Sequence, residues 1–230
     1  MNAHLSPGKL NLPARTCPPF DPARFKREMF MDVAWNIGTI AIALMLILFH
    51  QLGLSSLDLW MLMLPLILLF VIVTLPLART FPLLPQISSW LESDLPAAEA
   101  ALAECFSRRP LNRQLRIQLY HRLAILRHYQ SRIDESSAIA HTLLSMPLGI
   151  SERHRPQLLL ILIEGSLLRN DLHTAYAALS QLSRMRLGLL ESLQHLALRT
   201  RYEVAAGYAA QALADLPRKI HYAQMLPALQ

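Results

Sequence analysis

The chain has 230 residues, a net charge of +6, 53% hydrophobic residues and 17% charged ones, a balance too apolar for a disordered protein and too charged for one buried in lipid throughout. Two cysteines, Cys17 and Cys105, exclude a disulfide framework, and seven unclustered glycines exclude a phosphate-cradling loop or dinucleotide fingerprint.

Residues 1–31 read as a flexible cytosolic arm, because Pro7, Pro13, Pro18 and Pro19 stand among polar residues without helical or strand period. Cys17 within this arm is a candidate modification site. Residues 32–78 read as a transmembrane helical hairpin. Its runs Val33–Leu52 and Leu59–Ala78 contain no Lys or Arg, and each is long enough to cross a hydrocarbon core of about 30 Å as a helix. Lys9, Arg15, Arg24, Lys26 and Arg27 precede the first run, the Gln51–Asp58 connection has no basic residue, and Arg79 follows the second run, which places both termini in the cytoplasm. The expected location is an integral membrane one, in a bacterial inner membrane. Ala34, Gly38 and Ala41 form a small-residue stripe on the first span, suited to packing against the second span, to a homo-oligomer or to another membrane subunit. No ionisable relay sits within the spans, which disfavours transport.

Residues 79–93, apolar but interrupted by Pro82 and Pro85, read as an elbow lying at the membrane interface. Residues 94–230 read as an α-helical domain, so the expected fold is all-α. The pattern predicts helices at Leu95–Ser107, Leu111–Gln130, Asp134–Met146, Pro156–Arg169, Leu172–Arg186, Leu189–Arg201 and Glu203–Leu216. Asp94 and Asp171 suit N-caps, Pro156 a first helical position, and Gly149 and Gly188 C-terminal exits. Leu158–Ile163, six apolar residues in a row, marks a helix sandwiched among others.

Three of these helices repeat one another. Leu95, Ala98, Leu102, Cys105 and Pro110 match Ile133, Ser136, Ala140, Leu143 and Leu148, and these match Leu172, Ala175, Leu179, Leu182 and Leu187. A weaker fourth copy has Tyr202, Ala205, Ala209, Ala212 and Pro217. In these residues, most clearly in Asn170-Asp171-Leu172 with Ala175, Leu179 and Leu182, the chain resembles the tetratricopeptide-repeat family from Asp94 to Pro217. The first three copies start 38 and 39 residues apart, against the family's 34. The resemblance implies stacked helix pairs forming a protein-binding scaffold, with the first helix of each pair on the concave face.

Arg113, Arg116, Tyr120 and Arg127 fall on one flank of the second helix, within a stretch from Phe106 to Ile133 that has no acidic residue. That flank is the candidate contact strip for a partner protein, an acidic segment above all, or for anionic membrane lipid. Nucleic acid is disfavoured for want of interleaved aromatics or a reading motif. His121 and His128 share a helix face, but no carboxylate or thiol accompanies them nearby in sequence, so a structural role is expected rather than a metal site. No catalytic, metal-ligating or cofactor-binding set is found, and an enzyme is not expected. The expected function is a membrane-anchored adaptor that recruits another protein to the cytoplasmic face. The alternative is an accessory subunit of a larger membrane complex, bound through the hairpin.

Overall fold

The structure, a computed structural model, describes residues 16–51, 68, 80–108 and 112–229, and among these it is all-helical. After an extended stretch at residues 16–21, helix α1 (Pro22–Gln51) continues for 30 residues without a break, a rod of about 45 Å at 1.5 Å per residue. Helices α2 (Leu83–Ser93) and α3 (Leu95–Ser107) meet at Asp94, whose carboxylate accepts the Ala97 amide and starts α3. Asn112 caps α4 (Arg113–Tyr129) in the same way, through the Leu115 amide. There follow α5 (Ile133–Leu144), a short 3-10 turn (Gly149–His154), α6 (Arg155–Leu168), α7 (Leu172–Leu182) capped by Asp171, α8 (Leu189–Ala205) and α9 (Ala209–Leu229).

The later helices form hairpins closed by one repeated turn. At Ser131, Asn170 and Gly207 the backbone takes positive φ (60°, 58° and 87°). In each case the next amide reaches back to the carbonyl five residues earlier: Arg132 to Arg127, Asp171 to Ser166 and Tyr208 to Glu203, each at 2.8 Å. These are the bonds that end a helix when one residue turns left-handed. The turn sets the true repeat. The fourth copy therefore begins at Ala209, not Tyr202, and Ala212 is its buried small residue while Ala205 is exposed. The expected break after Arg201 is corrected likewise: α8 continues to Ala205, and Gly207 makes the turn. Gly149 and Gly188 do not end helices either. Gly149 opens the 3-10 turn, and Gly188 is the N-cap of α8, its amide bonded to the Glu191 carboxylate at 3.0 Å.

One hydrophobic core runs through the bundle, and α6 supplies its axis: every residue from Leu158 to Ile163 is buried. The stretch expected as an interfacial elbow takes a definite form from Leu83 onward. Residues 83–93 are helix α2, whose Leu84, Ile87 and Leu91 are buried in this core. The expected flexible arm is corrected for its described part, since Cys17, Phe25 and Met29 are buried in the core too. Cys17 is thus not offered for modification; burial pushes its thiol up to about 12.

The order of contacts fixes how α1 lies on the domain. Asp32 and Glu28 meet Arg116, Phe25 meets Tyr120, and Cys17 meets Arg127, so α1 runs antiparallel to α4 and leaves the bundle at the edge where α4 begins. Helix α2 folds back on α3 and α3 on α4, so α2 runs with α4, and the Ser88–Arg122 hydrogen bond keeps that register. The start of α2 and the buried Thr80 just before it consequently lie at the same edge. Among the described residues no helix is long and apolar enough to cross a membrane. Most side chains of the apolar half of α1, and the whole second run apart from Leu68, lie outside the described residues.

Candidate functional site

Helix α4 has a covered face and an open one, and the predicted strip lies on the covered one. Arg116 is buried, and its guanidinium forks onto Asp32 with two 3.0 Å bonds while its third nitrogen meets Glu28 at 2.5 Å. Tyr120 is buried in an aromatic cluster, its ring 4.5 Å from Phe25, 5.6 Å from Phe20 and 5.0 Å from Phe106 between centroids. Arg127 is 0% exposed. It donates to the Cys17 carbonyl (3.0 Å), the Glu99 carboxylate (3.0 Å) and the Gln130 side-chain oxygen (2.7 Å), and its Nε lies 3.3 Å from Glu135. Arg113, half-buried, donates to the Pro147 carbonyl at 2.7 Å. The expected open strip is corrected: three of its four residues are interior, and what covers them is the chain's own segment 17–32.

That segment is gripped largely by its backbone. Glu99 accepts the Cys17 amide (3.2 Å), Glu135 accepts the Phe20 amide (2.9 Å), and Arg127 takes the Cys17 carbonyl. Burial pushes the Glu99 carboxyl upward, yet hydrogen bonds from Gln130, Arg127 and the Cys17 amide outweigh it and hold the group below the usual carboxylate range. A buried guanidinium left unpaired costs several kcal/mol. Here two carboxylates, Glu99 on α3 and Glu135 on α5, and two carbonyl-type oxygens, from Cys17 and from Gln130 just past α4, surround the Arg127 guanidinium. The sequence offered no local signal for this, because the partners are 84 and 110 residues away for Arg116–Asp32 and Arg127–Cys17.

On its other face α4 borders an open cleft of about 310 Å³. First helices of successive pairs, α4, α6 and α8, line it. Leu160, Ile161 and Leu198 make an apolar floor, and Tyr129, Gln157, Gln194 and Glu191 make a polar rim. Glu164 stands at one side between His128 (3.4 Å) and Arg201 (3.3 Å). The face of α4 turned to this cleft is therefore carried by Ile125, His128 and Tyr129, not by the strip. A helix that is apolar all round, as α6 is, was the available signal: it has more buried faces than its pair partner can cover.

His121 lies buried against His154, rings stacked with centroids 4.3 Å apart and 30° between planes. Stacked rings direct their in-plane lone pairs separately, so the pair does not converge on one ion. Among the described residues no group of three His, Cys, Asp or Glu is placed to hold a metal. Burial, with the neighbouring His154 and Arg122, lowers the His121 imidazole to about 3, and burial with Arg153 lowers His154 to about 4. Both rings are neutral when folded and protonate near 6.5 when unfolded, so their contribution is complete above that pH and is lost as pH falls toward 4. Stability should fall between pH 7 and 5, by ~2 kcal/mol at pH 5 from His121 alone. Urea melts of the wild type and of His121→Leu, which should lose about half of this dependence with His154 supplying the rest, check it.

Of the membrane stripe, Gly38 is described, and a Cβ there would meet nothing within 4 Å among the described residues; the side chains of Ala34 and Ala41 lie outside them. Comparison of the chain with family models, curated proteins and solved structures finds no match.

Proposed function

We propose that the protein is a membrane-anchored adaptor: a hairpin at residues 33–78 fixes a tetratricopeptide-like bundle to the cytoplasmic face, and the α4–α6–α8 cleft takes a segment of a partner protein. The cleft carries this reading. It is open, apolar at its floor and polar at its rim, the combination that seats an amphipathic segment. The meeting of α1 and the start of α2 at one edge supports the anchor, because a two-span insertion must leave and re-enter its domain on one side. The absence of charge in both runs and the excess of Lys and Arg around them support it further. The alternative, an accessory subunit bound through the hairpin, draws on the small-residue stripe Ala34, Gly38 and Ala41.

Photo-crosslinking in native membranes separates these readings. A crosslinker at Tyr129 or Gln194 should give a discrete adduct with a second protein, and Ala197→Trp, which fills the cleft, should abolish it. Adducts only from Gly38, with none from the cleft positions, would transfer the binding function to the hairpin.

A further inference from the structure

The edge where α4 begins carries more than the two chain crossings. The turn at residues 147–151 is held against the first turn of α4 by Arg113 on the Pro147 carbonyl and by Ser151 on Gln114 (3.3 Å). From this anchored turn Ile150 projects with 79% of its surface exposed. One exposed apolar side chain is ordinary on a protein surface, and it is the grouping of several at one edge that carries meaning. On the same edge, Phe30 in the last docked turn of α1 is 73% exposed and Phe81, before α2, is 55% exposed. Basic residues accompany them. Arg27 lies one turn before Phe30, Arg113 begins α4, and Arg153 follows Ile150 in the 3-10 turn; Arg27 and Arg153 are exposed. The exposed acid in that turn, Glu152, is ion-paired with Arg155.

We infer that this edge is a lipid-contact face, on which Ile150, Phe30 and Phe81 enter the interfacial region of the bilayer and Arg27, Arg113 and Arg153 meet anionic lipid headgroups. The inference rests on the anchored reading above and deepens it, since it assigns a membrane-binding role to the helical domain itself. Apolar side chains ringed by cations are the recognised chemistry of a surface that lies on an anionic leaflet. The geometry commits the edge to lipid, because α1 carries its uncharged run outward from this edge and the chain returns to it at Thr80. A partner protein seated here would have to share the space with both crossings.

The test uses the full chain, Ile150→Cys labelled with an environment-sensitive fluorophore, in vesicles of phosphatidylcholine with or without phosphatidylglycerol and containing brominated lipid. Both native cysteines are buried and stay unlabelled. In the phosphatidylglycerol vesicles the label should shift to the blue and lose about half its emission, as expected for a group ~5–10 Å below the headgroup surface. The loss should shrink in phosphatidylcholine alone and on adding Arg153→Glu. Water-like emission in both vesicles, with the protein still resisting alkaline extraction, would overturn the lipid face and leave the anchor standing. Equal quenching with and without phosphatidylglycerol would overturn the anionic preference. Extraction by alkali would overturn the anchor, and this inference with it.

Discussion

Arg127→Met is expected to destabilise the folded domain by about 3–5 kcal/mol, the range for removing one partner of a buried ion pair, and to release the segment before α1. Methionine fills much of the volume, so the loss reports charge and hydrogen bonds more than packing. Glu99 would keep the Gln130 amide and Glu135 would keep Arg132 at 2.7 Å, but the Cys17 carbonyl would lose its buried donor. Arg127→Lys should recover only part of the loss, since an ammonium cannot present the guanidinium fork to the Cys17 carbonyl, Glu99 and Glu135 together. Two measurements check this. Urea melts give the stability change, and amide exchange at Cys17 and Phe20 gives the release. Unchanged exchange at those two amides in Arg127→Met would show that the segment is held without the guanidinium.

Gly165→Val is the second large effect. A Cβ at Gly165 would stand 2.6 Å from the Ser137 Cβ and 2.7 Å from its Oγ, well inside the separation that carbon atoms tolerate. Helices α5 and α6 touch here backbone to side chain, and neither can retreat: Ser137 is buried and α6 is enclosed by the core. In a helix interior glycine ordinarily costs about 1 kcal/mol relative to alanine, so the residue is present for the close approach and not for local stability. Valine should destabilise by ~3 kcal/mol or more, at the upper end of overpacking effects. Alanine should still be destabilising, and Ser137→Gly should rescue it. A double-mutant cycle by urea denaturation gives the coupling, and additive losses would mean the two sites do not press on each other.

These two residues also mark where the sequence could and could not be read. Helix α3 and the start of α7 follow from their caps: Asp94 and Asp171 were legible because a capping carboxylate works within three residues. The apolar run of α6 was legible because its length and composition allow only burial. Arg116 and Arg127 were not, since an arginine flank without nearby acids looks solvated, and the acids that bury it come from α1, α3 and α5. The displaced fourth repeat has a similar origin. Apolar spacing alone permits a copy starting at Tyr202, whereas the left-handed residue that closes each hairpin is Ser131, Asn170 and then Gly207. Spacing from these turns, rather than from leucines, would have found it. The cleft was half-legible: the resemblance placed a concave surface on the first helices, but which flank of α4 faces it depends on where residues 17–32 settle.

The unbroken passage of α1 through Asp32 has a mechanical meaning. A domain hung on a disordered leash samples every bearing and many heights above its bilayer, and its encounters scale with that volume. If α1 enters the bilayer as proposed, the domain clamped to it keeps one bearing and one height. His128 follows Arg113 by fifteen residues of α4, which sets the cleft about 20 Å above the edge at 1.5 Å per residue. A neighbour arising from the same bilayer would need some six or seven extended residues to climb that distance, at roughly 3.3 Å each. Under the proposed anchoring, the clamp at Arg116 and Arg127 would act as a ruler, favouring partners whose juxtamembrane stretch has that reach.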